Sequence, residues 1–427
     1  MDLLLSPGPL RGTTAAIPSK SAYHRLVLCA ALAQGCSRIT PAFDSQDIRA
    51  TLGAVQSLGA KVAQLLGTGV AIQGVGASPG QGPVRIHCAE SGSTLRFLIP
   101  VAAALGIPAV FTGEGRLPRR PLDPYVPVLR EHGVAVDYTG ELPFSIRGRL
   151  TPGEYRIAAD ISSQFITGLL FALPLLDEDS TIVFTSQVQS KPYIDMTVLA
   201  LAQFGVTVTP TQEGFFIGGS QRYRAQSSIC EGDWSNAAFF LCAGAIGGSV
   251  TCTGLRHDSP QGDKRVLEVL RDFGAQVLHT KDGVTVSPPA GGALRAVTID
   301  AGDIPDLVPV LCAVASCARG TTHIHNAARL RLKESDRIAS MQQMLESLGV
   351  PVTVTQDSMH ITGAPIRGGE VSSCNDHRIA MTAAVMALRA QGDILLTGAE
   401  CVRKSFPAFF REYQQLGGNY HVVNVGE

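Results

Sequence analysis

Residues 375–390 read NDHRIAMTAAVMALRA: four polar or charged side chains, Asn375, Asp376, His377 and Arg378, stand directly before a run of apolar ones. The segregation runs along the stretch rather than around it, as in a helix whose body is buried on every side and whose first turn is kept for charge. Five other stretches read the same way. They are SKSAYHRLVLCAALA from Ser19, SGSTLRFLIPVAAALG from Ser91, SSQFITGLLFALPLL from Ser162, DWSNAAFFLCAGAIGG from Asp233 and IPDLVPVLCAVASCARG from Ile304. The six starts, at 19, 91, 162, 233, 304 and 375, are 72 residues apart once and 71 residues apart four times. A fixed spacing marks a repeated supersecondary unit.

A second series keeps step with the first. TLGAVQSLGAKV, YVPVLREHGVAV, TVLALAQFGVTV, KRVLEVLRDFGAQV, IASMQQMLESLGVPV and FFREYQQLGGNYHVV each run from an amphipathic segment through a glycine into a strand-like end. Gly59, Gly133, Gly205, Gly274, Gly349 and Gly417 fit the left-handed position that closes a helix. Between the two helices lie alternating stretches such as STIVFTS, SVTCTG and TTHIHN, which predict strands. The fold class expected is α/β, with six units of two helices and several strands. A chain of 427 residues exceeds one ordinary core, so the units divide three and three near residue 229. The expected domains are 14–228, and 1–13 together with 229–427, with the leading strand pairing with the last unit.

Composition removes several classes of function. A formal net charge of -1 offers no global field for gripping nucleic acid or an anionic membrane, so any anion site is local. The ten cysteines sit in apolar stretches without a CxxC pair and read as reduced packing residues, not a disulfide framework. The start, MDLLLSPGPLRG, resembles neither a signal nor a transit peptide, which predicts a cytoplasmic protein. In TTHIHN, His323 and His325 face one side of a strand, but two histidines lack the further ligands of a metal site, so none is expected.

A helix N-terminus presents free N–H groups and the positive end of its dipole, a natural seat for an anion. Here several starts add cations. RLRLKESDRIA places Lys333 and Arg337 on one helix face with Glu334 beside them as an acid or base; PSKSAYHR offers Lys20, Ser21 and Arg25, and SQVQSKPYID offers Ser190, Lys191 and Tyr193. Each alone fits simple capping or a solvated face.

Taken in order, SKSAYHR, SGSTLR, RRPLDP, SSQF, SKPYIDMT, QGDKR, IPD, LKESDR, NDHRIAM and KSFPAFF resemble the 5-enolpyruvylshikimate-3-phosphate synthase family along essentially the whole chain. The resemblance implies an inside-out α/β barrel in each of two domains, each of three βαβαββ units, closing on substrate. It implies transfer of the enolpyruvyl group of phosphoenolpyruvate to the 5-hydroxyl of shikimate 3-phosphate through a tetrahedral intermediate, by a monomer, without metal or organic cofactor. Ser21, Arg25, Ser162, Ser163, Gln164, Ser190, Tyr193 and Asp306 are implied at the shikimate compound, and Lys20, Gly92, Arg120, Gln164, Arg337, Arg378 and Lys404 around phosphoenolpyruvate. Lys333 is implied to reach between the two, and Lys20 to touch both. Lys20, Asp306 and Glu334 are the implied proton-transfer groups. The herbicide glyphosate, the family's phosphoenolpyruvate-like inhibitor, is expected near Gly92. The chain departs from the family's usual pattern at Tyr23, His24, Glu90, Ser93 and Arg329. The related UDP-N-acetylglucosamine enolpyruvyl transferases are disfavoured, since the loop GEGRLPRRPLDP has Arg120 and no cysteine, and the start has Lys20-Ser21 in place of Lys-Asn.

Overall fold

A computed structural model describes residues 1–76, 80 and 82–424. The chain forms two compact units, Pro18–Cys230 and Met1–Ile17 joined by Glu231–Glu427. Both divisions fall a few residues beyond the expected 13/14 and 228/229. The reason is strand pairing: Arg11–Ala15 runs parallel to Ser249–Thr253, and Ser227–Ile229 runs parallel to Cys36–Thr40, so each stays whole within its own sheet.

Among the described residues there are six four-stranded sheets with one shared order, a parallel pair followed by two antiparallel neighbours. In one, Glu154–Ile157 pairs parallel with Ser180–Phe184, which pairs antiparallel with Gly214–Ile217, beyond which lies Thr209–Pro210. The last sheet borrows its third strand from the start of the chain, where Asp2–Ser6 lies between Ile394–Thr397 and Asn419–Asn424. The strands alternate buried and exposed residues, as Glu154–Ile157 does, because each sheet turns one face to solvent.

The polar-start stretches form the helices Lys20–Leu32, Gly92–Ala104, Ser163–Ala172, Trp234–Gly247, Val308–Ser316 and His377–Ala387. Their bodies are buried almost entirely; in Trp234–Gly247 every residue through Ile246 is shielded. Within each unit these helices pack on one another and on the inner sheet faces. Ser19, Ser91, Ser162 and Asp233 are the N-caps, their side chains accepting from N–H groups of the first turn. The fifth helix differs from expectation, starting at Val308 and not near Ile304. Pro309 has no N–H to donate to the carbonyl of residue 305, so it fits only in the first turn, where that donor is not needed. All six helix-closing glycines have positive φ, between 76° at Gly349 and 106° at Gly59.

All ten cysteines are free, seven of them buried. No helix among the described residues is long and apolar enough to cross a membrane.

Candidate active site

In the Met1–Ile17 and Glu231–Glu427 unit, the helix starts carry a network centred on Arg337, the first residue of the helix Arg337–Ser347. Its Nε donates to Asp376 Oδ2 at 2.8 Å, its Nη1 to Asp306 Oδ1 at 2.8 Å and its Nη2 to Glu334 Oε2 at 2.8 Å. Arg378 donates to the other Asp306 oxygen at 2.9 Å, and the Lys333 ammonium stands 3.8 Å from Asp306. Asp376, the N-cap of His377–Ala387, accepts from the Arg378 N–H at 2.9 Å and from the Ser335 hydroxyl at 3.1 Å. His377 is buried beside it, with Nδ1 3.8 Å from the carboxylate. Cys374 and Asn375 precede this helix with φ of 51° and 53°, and Lys404 donates to the Asn375 carbonyl at 2.6 Å. Thus Asp306, Lys333, Glu334, Arg337 and Arg378 share one network, joined to Lys404 through the residue next to Asp376.

Burial differs sharply within this network. Arg337 and Asp376 have 1% and 0% of their side chains exposed, whereas Glu334 and Lys333 keep 20% and 25%. The first pair is shielded by the three-carboxylate network, and the second is partly open to solvent. Burial works to raise the Asp306 carboxyl, but Arg378, Lys333 and Arg337 outweigh it and hold Asp306 well below the usual carboxylate range. Burial brings the Lys333 ammonium down to about 8, with Asp306 resisting and Arg337 assisting.

Asp263 is buried in the same unit, accepting a short hydrogen bond from Ser235, the second residue of Trp234–Gly247. Burial, then the charge of Asp306, pushes its carboxyl up to about 7. A folded value above that of an unfolded aspartate means the neutral acid's contribution to stability is full at the acid end and is lost as pH rises through about 7. In Asp263→Asn that loss disappears while the Ser235 bond persists. Thermal unfolding is therefore expected to show the variant gaining on the parent from pH 5 and levelling off above about pH 7; a constant difference would contradict this.

In the Pro18–Cys230 unit, Lys20 opens its helix and donates to Asp47 at 2.9 Å. A chain of hydroxyl contacts leads onward from the Asp47 carbonyl through Thr51 and Thr94 to the cap Ser91. Arg25 donates to Thr197 at 2.9 Å and to the carbonyls of Ser21 and Tyr193 at 2.6 and 2.7 Å, tying these two segments together. Ser190, with φ of 54°, precedes the helix Lys191–Gln203. Ser162 caps Ser163–Ala172, and Gln164 on its first turn donates to Ser93 at 2.9 Å. Next to Ser93, Gly92 lies against Arg120: a Cβ there would stand 2.7 Å from Nη1 and 2.9 Å from Cζ.

Several residues outside the sequence-derived set hold these positions. Arg96 donates to Gln164 Oε1 at 2.7 Å, with its guanidinium 5.0 Å from the centre of the Phe165 ring. An arginine inside the apolar run STLRFLIPV was the signal for it. Asp47 and Asp263 gave no such signal, since neighbouring acids of the same type are surface residues. The departures also have partners: Ser93 accepts from Gln164, Arg329 donates to the Gly302 carbonyl at 2.6 Å, and buried His24 pairs with Thr51 at 2.7 Å. Among the described residues no group of three or more His, Cys, Asp or Glu could hold a metal ion.

Comparison with known proteins adds a family. A sequence model of the family EPSP synthase (3-phosphoshikimate 1-carboxyvinyltransferase) matches residues 5–413. The chain is 42% identical to a 3-phosphoshikimate 1-carboxyvinyltransferase of Clostridium kluyveri, over 99% of each chain, and 42% identical to one of Clostridium beijerinckii over the whole of both. It is also similar to the solved EPSP synthase of Acinetobacter baumannii, with a TM-score of 0.81 and 27% identity across 99% of this chain and 100% of that one.

Proposed function

The chain belongs to the EPSP synthase family and transfers the enolpyruvyl group of phosphoenolpyruvate to shikimate 3-phosphate in aromatic amino acid biosynthesis; from that premise we propose how its residues divide the work. The six sheets and their buried helices are read as six βαβαββ units, three in each inside-out barrel. From the Pro18–Cys230 unit, Lys20, Ser21, Arg25, Ser162, Ser163, Gln164, Ser190 and Tyr193 serve the shikimate compound, while Lys20, Gly92, Arg120 and Gln164 serve phosphoenolpyruvate. Arg25 already spends three donors on the protein and has two N–H groups left for a phosphate. From the other unit, Arg337, Arg378 and Lys404 serve phosphoenolpyruvate, and Asp306 and Lys333 the shikimate compound. Both substrates carry a phosphate and a carboxylate, which accounts for arginines at helix starts.

In this reading Glu334 protonates the methylene carbon of phosphoenolpyruvate as the 5-hydroxyl oxygen attacks the adjacent carbon. Asp306 accepts the hydrogen bond of the 5-hydroxyl and, being held well below the usual carboxylate range, relays its proton to the departing phosphate, while Lys20 stabilises the developing negative charge. The tetrahedral adduct then returns the methyl proton to Glu334, the carbon–oxygen bond to the phosphate breaks, and phosphate leaves. The observation that carries this is the Arg337 network, in which both proton carriers are hydrogen-bonded to one buried guanidinium. Phosphate release is expected with phosphoenolpyruvate plus shikimate 3-phosphate and not with UDP-N-acetylglucosamine as acceptor; release with the nucleotide sugar alone would overturn the assignment.

Gly92→Ala tests the phosphoenolpyruvate end. The added methyl forces the buried Arg120 guanidinium to move by several tenths of an ångström. Steady-state kinetics are expected to show KM for phosphoenolpyruvate rising by about tenfold or more, with KM for shikimate 3-phosphate much less affected. Equal change in both constants would place Arg120 elsewhere.

A further inference from the structure

One departure from the family's usual pattern, Arg329, stands beside two working residues of the site. It lies in the single turn Ala328–Leu332, four residues before Lys333. The residue is half-buried, and its Nη2 donates to the Gly302 carbonyl at 2.6 Å. Gly302 belongs to the short connection between the strand Thr298–Asp300 and the helix Val308–Ser316, and Asp306 stands on that same connection.

The connection is tethered where it leaves the strand. The Gly302 N–H donates to Asp300 Oδ1 at 2.8 Å, and the Asn326 amide donates to the same oxygen at 3.0 Å. The Ala301 N–H reaches the His325 carbonyl at 3.0 Å, and the Ile304 N–H reaches the Ala301 carbonyl at 3.2 Å. A Cβ on Gly302 would stand 2.6 Å from Asn326 Nδ2, so a larger residue would push that amide off Asp300. Asp306 is thus held twice: its carboxylate by Arg337 and Arg378, and its backbone, four residues upstream, by the guanidinium of Arg329.

We propose that Arg329 is a positioning residue of the reaction, acting through Gly302 to fix the backbone that presents Asp306 and through its charge on Lys333, a role that rests on the assignment of both groups to the shikimate compound. Lys333 meets charges of both signs. Asp306, 3.8 Å from its ammonium, and Glu334 favour the cation, whereas Arg337 and Arg329 disfavour it; Arg378 lies beyond, donating to Asp306 at 2.9 Å. Burial is the largest influence, and together with these charges it brings the ammonium down to about 8. Removing the Arg329 charge takes away one influence that opposes protonation, so Lys333 keeps its proton to higher pH. A strap that only stabilised the connection would lower the unfolding temperature on removal and leave the titration of Lys333 where it was.

The test is kcat/KM for shikimate 3-phosphate, which follows titration of the free enzyme, measured on the full chain at saturating phosphoenolpyruvate between about pH 6.5 and 9.5. The parent is expected to lose activity above about pH 8, as Lys333 gives up its proton. Arg329→Gln and Arg329→Met are neutral replacements in which Gly302 keeps its bond to Asp300. Both should lower kcat by about tenfold, and in both the fall in kcat/KM should move to higher pH. Arg329→Lys should retain the parent's fall but recover only part of kcat, since an ammonium lacks the planar donor fork. Arg331→Gln, from the same turn, removes a guanidinium that donates to Asp336 at 2.9 Å and to the Thr355 carbonyl at 2.7 Å, and should keep the parent's fall. Lys333→Met should abolish the fall. If Lys333→Met does so, a fall at the parent's pH in both neutral variants, or an equal displacement in Arg331→Gln, would overturn the inference alone. A parent-like fall in Lys333→Met would overturn the assignment of Lys333 and the inference with it.

Discussion

Glu334→Gln lowers kcat by about 10²–10⁴, the range expected when a positioned general acid is lost, while the protein keeps the parent's unfolding midpoint to within a few degrees. The glutamine has the shape of the glutamate and still offers an oxygen to Arg337 Nη2, so the contact at 2.8 Å survives as a weaker one. Arg337 retains the carboxylates of Asp306 and Asp376. What glutamine cannot do is carry a proton to carbon and take it back. A purely structural Glu334 would behave in the opposite way, losing stability and keeping turnover, so kinetics and thermal unfolding together decide. Lys20→Ala should also nearly abolish turnover, by removing the cation opposite the developing charge and leaving Asp47 without its partner at 2.9 Å.

Arg337→Ala is expected to act on folding first. Its guanidinium has 1% of its surface exposed and faces three carboxylates, of which Asp376 is wholly buried. Removing one partner of a buried ion pair leaves an uncompensated charge and costs about 3–5 kcal/mol. That is a large share of the roughly 5–15 kcal/mol that holds a domain folded. The unit containing Arg337 should therefore unfold at a much lower denaturant concentration, seen as an early transition in urea, with soluble yield falling. Arg337→Lys should recover only part of the loss, because an ammonium cannot present the three donor directions used here. An Arg337→Ala protein with the parent's urea midpoint would show that the three carboxylates are solvated and the network is not a framework.

The sequence disclosed what is encoded locally. Polar caps at Ser19, Ser91, Ser162 and Asp233 and the left-handed glycines are single-residue chemistry, visible wherever they occur. Pro309 shifted one start because a missing donor mattered more than the spacing. The pairing of Arg11–Ala15 with Ser249–Thr253 joins segments more than two hundred residues apart and leaves no local trace. The site divides in the same manner. LKESDR and NDHR announced their charges, but that Arg337 would reach Asp376, 39 positions along, is a fact of packing. Arg25 shows a similar gap: the resemblance assigned it to substrate, and packing also gives it the carbonyls of Ser21 and Tyr193.

The central claim, that Glu334 moves the proton on and off the methylene carbon, is tested most directly by running the reaction in deuterium oxide and following label at that carbon by NMR. The parent is expected to place deuterium in the vinyl group of recovered product and substrate, and Glu334→Gln to leave that position unlabelled over the same number of substrate-binding events. Label entering at the parent's rate in Glu334→Gln would assign the carbon proton to another group and contradict the account.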